Sequence, residues 1–333
     1  MNRTKYYVVC DCREKFKSYL GNGILYNDHF KQANIDAIVK VINSLGYDCE
    51  YYGGVDKLIE AVNQNKKYDN CVFLNFNDGL TQQHKRGQTP ILLEIITDKF
   101  SGSDAFASLL VSDKYCTNKL AHVLTDANVP RSILYFGNGK LPNEICEFNF
   151  PVIVKPNNEG SSIGIDAESL CHDMKSLLKQ LEKLSQTFKT ILIEEYISGF
   201  EFTVFLVGNE NIVINQPLAI GVDSKFYLDK EICDAEIKAL HRRVYVAPEC
   251  LISSTQVEEL KQISQMVFKH LGLRDYARLD FRYNNGKFYL LEANTVPAIG
   301  ENSDVGEVCK LIGISFKDFI DILLKTVNAR LKI

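Results

Sequence analysis

The chain of 333 residues lacks the short motifs that mark the commonest nucleotide, metal and redox sites. Neither the Walker phosphate loop nor the GxGxxG dinucleotide turn occurs in it, so neither kind of nucleotide site is indicated. Ten cysteines are present, but they are scattered and form no CxxC pair. Cys10 and Cys12 lie two apart on a predicted strand, a spacing more typical of free buried thiols than of a metal pair.

The composition also lacks an excess of basic residues and any long, uninterrupted apolar run. A net charge of -4 with 24% charged residues provides no broad basic surface, so nucleic acid is not an expected partner. The N-terminus has no apolar signal core, and the run Ile91–Ile96 is interrupted by a glutamate. We therefore expect a cytoplasmic protein with no membrane partner. With 46% hydrophobic residues, the chain can bury about two or three cores.

A predicted hairpin near the C-terminus concentrates oxygen ligands. Its strands, Ala277–Phe281 and Phe288–Asn294, alternate with period two, and Asn285–Gly286 supplies the positive φ angles of a tight turn. Four polar side chains then share one face: Arg278, Asp280, Glu292 and Asn294. Carboxylate and amide oxygens suit a hard cation, so the hairpin predicts a magnesium–nucleotide site. The alternative interpretation is a surface hairpin with solvated charges.

A second motif, earlier in the chain, is suited to phosphate. Val152–Val154 is a short apolar strand, Lys155 emerges at its end, and Gly160–Gly164 is a loop of small residues. The backbone amides of such a loop can approach phosphate oxygens closely. Alone, a Gly-Ser loop is more often a plain turn, but its combination with the hairpin favours a phosphate clamp.

Strand and helix patterns alternate along the chain and predict an α/β fold. Strands at Tyr6–Cys10, Asp48–Tyr52 and Cys71–Phe76 are separated by helices at Lys31–Leu45 and Val55–Asn65, a βαβ pattern that indicates a parallel sheet. Further helices are predicted at Asp113–Asn128, Glu168–Ser185, Ser254–Leu271 and Phe316–Leu331.

A third motif follows the phosphate loop, and the order of the three motifs along the chain is more specific than any one of them. Ile191–Val204 has the pattern of a strand, a turn and a strand. Lys155 with EGSSIG, then IEEYISGFEFTV, then ARLDF with LLEANTVP resembles the ATP-grasp superfamily and, within it, the D-alanine:D-alanine ligase family. The resemblance covers Asp113 to Phe319, and the preceding segment is similar only in general shape.

The resemblance implies a three-domain architecture. An N-terminal Rossmann-like parallel sheet would occupy residues 1–112, and a central ATP-grasp subdomain with the phosphate loop would occupy 113–190. A C-terminal subdomain with the magnesium site would occupy 191–333. The two subdomains together would form an α+β nucleotide-binding half, and a homodimer would be unsurprising.

The resemblance also implies residues that bind ATP and two magnesium ions, for which manganese could substitute. Nucleotide contacts are implied for Lys114, Lys155, Glu159, Gly160, Ser161, Ser162, Glu194, Glu195, Tyr196, Ile197 and Glu201. Among these, the two lysines would reach the phosphates, Glu194 to Ile197 the adenine, and Glu201 the ribose. Metal ligation is implied for Asp280, Glu292 and Asn294. Catalytic roles are implied for Arg278, which would steady the acyl phosphate, and for Ser161 of the phosphate loop.

The positions that would bind the amino acid substrates depart from the family pattern. The family has a Gly-rich turn near its N-terminus and a nearby glutamate that binds the ammonium of the first substrate. This chain has Tyr6–Lys15 there instead, without a Gly-rich turn, so Glu14 does not correspond to that glutamate. The family has an ω-loop with a lysine followed by a tyrosine. In this chain the corresponding segment begins similarly at Lys225–Tyr227, but its continuation, Leu228–Arg243, is longer, richer in charge and without a Lys-Tyr pair. Candidates for substrate binding are Ser303, Lys225, Tyr227 and Arg243. Gly160–Gly164 and Lys225–His241 are candidate lids.

Other charged groups allow two interpretations. His84, Lys85 and Arg86 could form an anion site or be ordinarily exposed. Glu301 and Asp304 could bind a substrate ammonium.

The resemblance implies an ATP-dependent ligase that joins a small-molecule carboxylate to an amine as a dipeptide or amino acid amide, with release of ADP and phosphate. The carboxylate would attack the γ-phosphate to give an acyl phosphate, and the amine would then displace phosphate. Such chemistry needs mainly positioning and charge neutralisation from the protein. Two alternatives stay open: an ATP-grasp enzyme whose nucleophile is not an α-amino acid, and an ATP-binding regulator without turnover.

Overall fold

The computed structural model describes residues 4–16, 29–80, 84–137, 139–160, 162–232, 237, 240 and 242–333. Within these residues three β-sheets organise the chain, and each sheet is packed against helices. No helix of the described part is both long and apolar enough to cross a membrane. The described cysteines are free, which confirms the interpretation of Cys10 and Cys12 as buried thiols.

The N-terminal sheet is parallel, with the strand order β2–β1–β3, as the βαβ pattern predicts. Its strands are β1 (Lys5–Val9), β2 (Asp48–Gly53) and β3 (Cys71–Asn75). Its helices are α1 (Arg13–Phe16), α2 (Gln32–Ser44), α3 (Val55–Asn63) and α4 (Lys85–Ile96). The next helix, α5 (Ala105–Ser112), packs against α4 and buries Ala107 and Val111 in the core of the largest sheet. Helix α2 buries Ile35, Ile38 and Ile42 on one face and is followed by Gly46 at a φ of 90°.

The central sheet is antiparallel, with the order β4–β7–β5–β6. It comprises β4 (Ser132–Tyr135), β5 (Val152–Pro156), β6 (Leu170–Cys171) and β7 (Ile191–Glu195), flanked by α6 (Lys114–Thr125) and α7 (Met174–Ser185). Helix α6 ends before Asn128 because Asp126 adopts a left-handed φ of 54°. The prediction that a helix begins at Glu168 is wrong. The Asp173 carboxylate accepts the Ser176 N–H and starts α7 at Met174, while β6 pairs with β5.

The large sheet has the order β11–β9–β8–β12–β13, with β10 paired to β8. Its strands are β8 (Gly199–Gly208), β9 (Ile212–Val222), β10 (Tyr227–Leu228), β11 (Arg243–Val246), β12 (Asp275–Asn284) and β13 (Lys287–Asn294). Three helices accompany it: α8 (Ser254–His270), α9 (Asp304–Ile312) and α10 (Phe316–Leu331). The predicted hairpin is confirmed, since Asn285 and Gly286 both have positive φ between β12 and β13.

One hydrophobic core joins the N-terminal sheet to the large sheet. Phe205 of β8, Tyr276 of β12 and Phe319 of α10 pack in the same cluster as residues of β1 and α2. The Tyr276 hydroxyl donates to the Asn75 carbonyl at the end of β3. This shared core fixes the N-terminal sheet against the strands that carry the predicted metal and nucleotide residues.

Candidate active site between the central and large sheets

A cavity lies between the central sheet and the large sheet and brings most of the predicted site residues together. Its empty volume is about 960 Å³, part of it open to solvent. Predicted site residues that line it are Lys114, Lys155, Glu159, Gly160, Ser162, Glu194, Glu195, Tyr196, Ile197, Glu201, Arg243, Arg278, Asp280 and Glu292. Ser161 lies outside the described residues.

The hairpin places its acidic groups opposite each other. Asp280 of β12 is paired with Glu292 of β13, and Arg278 with Asn294. Arg278 reaches both carboxylates, with Nη2 at 2.8 Å from Asp280 Oδ2 and 3.4 Å from Glu292 Oε1. The Thr203 hydroxyl donates to Asp280 at 2.6 Å. Burial raises the pKa of Asp280, and Arg278 opposes that shift.

This donor set fits a magnesium ion. Two carboxylates on adjacent strands, partly accessible from the cavity, are the hard ligands that Mg²⁺ takes from proteins. Among the residues that the structure describes, no cluster of three His, Cys, Asp or Glu side chains is arranged for a metal. The third predicted ligand is an amide, and the Asn294 Oδ1 accepts the Val296 N–H at 3.0 Å.

Asp304, at the start of α9, organises the arginines of this end of the cavity. Its Oδ1 lies 2.7 Å from Arg243 Nη2 and accepts from the Tyr245 hydroxyl at 2.8 Å. Its Oδ2 lies 3.4 Å from Arg278 Nη1. Burial would lower the pKa of Arg278, but Asp280, Asp304 and Glu292 raise it above its usual range. The pairing with two arginines argues against Asp304 as an ammonium ligand, and Glu301 is exposed.

Two lysines supply positive charge to the cavity. Lys155, at the end of β5, lies 2.9 Å from Glu194 Oε1 on β7, and both side chains are buried. Lys114, in the first turn of α6, donates to the Glu159 carbonyl and lies 3.5 Å from Glu292 Oε2. Burial lowers the pKa of Lys114, and Glu292 opposes the shift. Lys114 therefore meets the acidic hairpin directly, whereas Lys155 is paired within the central sheet.

The basic pair at the start of α4 is buried rather than exposed. Lys85 Nζ lies 3.0 Å from Glu159 Oε2, and their side chains are 5% and 3% exposed. Arg86 Nε donates to Asp78 Oδ1 at 3.1 Å. Glu159 thus connects α4 of the N-terminal unit with the phosphate loop, a contact between residues far apart in sequence that no local pattern signals.

Arg282 is another residue that sequence reasoning missed. It lies on the same face of β12 as Arg278 and Asp280 and is 4% exposed. Its Nη2 lies 2.8 Å from Glu201 Oε2, so the carboxylate predicted to bind ribose already has a cationic partner. The alternation that identified Arg278 and Asp280 extends to Arg282 and is the signal that could have found it.

Several predicted substrate residues do not line this cavity. Lys225 is exposed and lies 3.1 Å from Glu231, and the exposed Tyr227 packs its ring edge-on against Phe200. Ser303 donates to the Gly300 carbonyl at 2.7 Å. Of the four substrate candidates, only Arg243 lines the cavity.

Comparison with known proteins agrees with this architecture. Residues 137–325 match the family model described as D-ala D-ala ligase C-terminus. A D-alanine–D-alanine ligase of Thermotoga petrophila is 27% identical over 298 residues, which cover 87% of this chain and 90% of the relative. A D-alanine–D-alanine ligase of Ectopseudomonas mendocina is 30% identical over 241 residues, which cover 72% of this chain and 73% of the relative.

Solved structures share the fold across the whole chain. The D-alanine–D-alanine ligase of Bacillus anthracis superposes with a TM-score of 0.74 at 18% identity, covering 99% of each chain. The structure of the same enzyme complexed with ATP superposes with a TM-score of 0.72. The VanG D-Ala:D-Ser ligase of Enterococcus faecalis also gives 0.72, at 18% identity, covering 98% of this chain and 100% of that one.

The three sheets and the cavity between two of them define an ATP-grasp protein, as the motifs predicted. The chain is an ATP-dependent ligase of the class that forms carbon–nitrogen bonds. Within that class it belongs to the D-alanine–D-alanine ligase family. The alternatives of a regulator without turnover and of a different nucleophile are not favoured. The predicted domain boundaries and the roles of individual residues stay predictions.

Proposed function

We propose that this ligase joins two small amino acids into a dipeptide through an acyl phosphate, with release of ADP and phosphate. The observation that carries the proposal is the arrangement of charges around one cavity. Arg278 lies between Asp280 and Glu292 on the hairpin, Lys114 lies 3.5 Å from Glu292, and Lys155 lines the cavity from the central sheet. Phosphoryl transfer needs this combination of positioning and charge neutralisation.

Magnesium would be held by Asp280 and Glu292, with Asn294 as a further ligand, and manganese would suit the same oxygens. The bound ions would neutralise the charge of the transferring phosphoryl group. Burial raises the pKa of Asp280 because it disfavours the negative charge of the carboxylate, and a bound cation would stabilise that charge. The Thr203 hydroxyl orients the carboxylate from the neighbouring strand β8.

The other residues of the cavity would act by charge and position. Lys114 and Lys155 would bind the phosphates, and the buried contacts of their ammonium groups hold them in place. Arg278 would bind the oxygens of the acyl phosphate, and Asp304 would fix the orientation of its guanidinium. Arg243, held by the same Asp304, is the described residue best placed to bind a substrate carboxylate.

The substrates would be amino acids of small size, with D-alanine, D-serine and their enantiomers as first candidates. Support comes from relatives whose names give D-alanine and D-serine as substrates. Glu14 does not line the cavity, and its Oε2 accepts from the Cys12 thiol and from the Gln32 N–H. The first substrate would therefore be bound differently from the family pattern.

We also infer a cytoplasmic protein that acts on small molecules and does not bind nucleic acid, consistent with its net charge of -4. A homodimer is supported by exposed apolar side chains on the neighbouring helices α4 and α5, among them Ile91, Ile95 and Phe106. Sedimentation measurements at several concentrations would test the oligomeric state.

The decisive experiment measures phosphate release with ATP, magnesium and pairs of amino acids, followed by mass spectrometry of the products. We expect release that requires both amino acids and a new mass equal to their sum less water. Tight ATP binding without phosphate release under every pair would refute the proposal.

A further inference from the structure

Arg282 lies on β12, closer to the hairpin turn than Arg278 and Asp280, and lines the cavity. Side chains alternate along β12, so Arg282 shares the cavity face with Arg278 and Asp280. At a rise of about 3.4 Å per residue, it lies roughly 14 Å along the strand from Arg278. Its neighbours there are Tyr196 and Glu201, which belong to the proposed nucleoside end.

The guanidinium is held by three oxygens and a ring. Nη2 donates to Glu201 Oε2 at 2.8 Å, and Nη1 donates to the Tyr196 hydroxyl at 3.2 Å and the Leu228 carbonyl at 3.4 Å. The guanidinium carbon lies 5.4 Å from the centroid of the Tyr196 ring. These contacts fix both terminal nitrogens and leave the orientation of the group well defined.

Among the three guanidinium nitrogens of Arg282, Nε has no hydrogen-bond partner, which indicates a ligand. Its Nε–H is buried and has no hydrogen-bond partner, although the side chain is 4% exposed and lines the cavity. A buried N–H without an acceptor is unfavourable, so a ligand oxygen or nitrogen that accepts from it would bind more tightly. An arginine needed only to neutralise Glu201 would not require a buried Nε–H without an acceptor.

The neighbouring carboxylate indicates which ligand group fits. Glu201 uses Oε2 for the ion pair, which leaves Oε1 as an acceptor in the same part of the cavity. A hydroxyl has one donor and two acceptor positions, so it satisfies both groups at once. We propose that Arg282 is a further nucleotide-binding residue, whose Nε–H donates to a ribose hydroxyl that in turn donates to Glu201. This inference rests on the proposed function, since it takes ATP as the nucleotide.

Nucleotide binding without amino acids tests the inference separately from turnover. Calorimetry would give dissociation constants for ATP, 2′-deoxy-ATP and 3′-deoxy-ATP with the wild type and with Arg282→Lys. Lysine keeps the charge beside Glu201 but has no Nε–H. The matched control is Arg131→Lys, because the exposed Arg131 side chain is paired with Glu147 and does not line the cavity.

We expect the wild type to bind one deoxynucleotide about tenfold more weakly than ATP, the scale of a lost hydrogen bond. In Arg282→Lys that ratio should fall at least about threefold, because the hydroxyl has lost one of its two partners. Arg131→Lys should keep the wild-type ratio. An unchanged ratio in Arg282→Lys would overturn the inference and leave Arg282 a purely structural role.

The wild type alone also decides the question if Arg282→Lys does not fold. Equal binding of ATP and both deoxynucleotides would mean that no ribose hydroxyl is recognised, which overturns the inference without touching the proposed ligase activity. Absence of any nucleotide binding would instead refute the proposed function, and the inference with it.

Discussion

Replacing Lys85 with methionine perturbs the contact between α4 and the phosphate loop. The Lys85 and Glu159 side chains are 5% and 3% exposed, with 3.0 Å between Nζ and Oε2. Methionine fills similar space but leaves the Glu159 carboxylate buried without this cation. Removing one partner of a buried ion pair costs about 3–5 kcal/mol, because the remaining charge loses its compensation. The melting temperature should therefore fall by about 6–20 °C if the cooperative unit has roughly 150–250 residues.

The measurement is a double-mutant cycle followed by calorimetry or circular dichroism. Glu159→Gln removes the charge on the other side, and the double variant removes both. Because two neutral groups need no ionic partner, the double variant should be more stable than Lys85→Met by about 1–3 kcal/mol. Lys179→Met is the matched control, since Lys179 is 70% exposed in its pair with Glu168 and should change stability by less than about 0.5 kcal/mol.

Lys85→Met should also weaken ATP binding. The Glu159 carbonyl accepts from Lys114, so movement of this residue displaces a proposed phosphate-binding lysine. Two results would refute the reasoning. One is a Lys85→Met melting temperature within about 2 °C of the wild type. The other is a double variant that is as unstable as the sum of the single variants, which would mean that the pair has no coupling.

Three further predictions concern the site and the thiols. Asp280→Asn and Glu292→Gln should each lower kcat for phosphate release by about 100-fold or more, and EDTA should do the same to the wild type; near-normal rates would contradict the metal assignment. Asp304→Asn should lower kcat by about 10–100-fold with little change in the KM for ATP, because it releases the arginines of the cavity; a change confined to KM would argue for a binding role. Burial raises the pKa of the Cys171 thiol to about 11, so at pH 8 iodoacetamide should label the exposed Cys250 and spare Cys171, as peptide mass spectrometry would show.

Local patterns determined the parts of the site that lie within one segment. Period-two alternation and the Asn285–Gly286 turn predicted the hairpin, but the register that the turn sets near Phe281 would pair Asp280 with Leu291. A register shift between Asp280 and Phe281 brings Asp280 opposite Glu292, and only the structure shows that shift. The βαβ pattern likewise predicted the parallel N-terminal sheet. The start of α7 was missed because the helical pattern extends upstream of the Asp173 cap, and only pairing with β5 draws Leu170–Cys171 into a strand.

The tertiary structure alone decided which charges are paired. Glu159 binds Lys85 across 74 residues of sequence, and Arg282 binds Glu201 across 81. Such contacts depend on how sheets and helices pack, so the sequence around a carboxylate does not indicate which cation will pair with it. Chain chemistry thus determined the kind of site and its ligand types. Packing decided which of those groups are positioned by neighbours and which remain directed at a ligand.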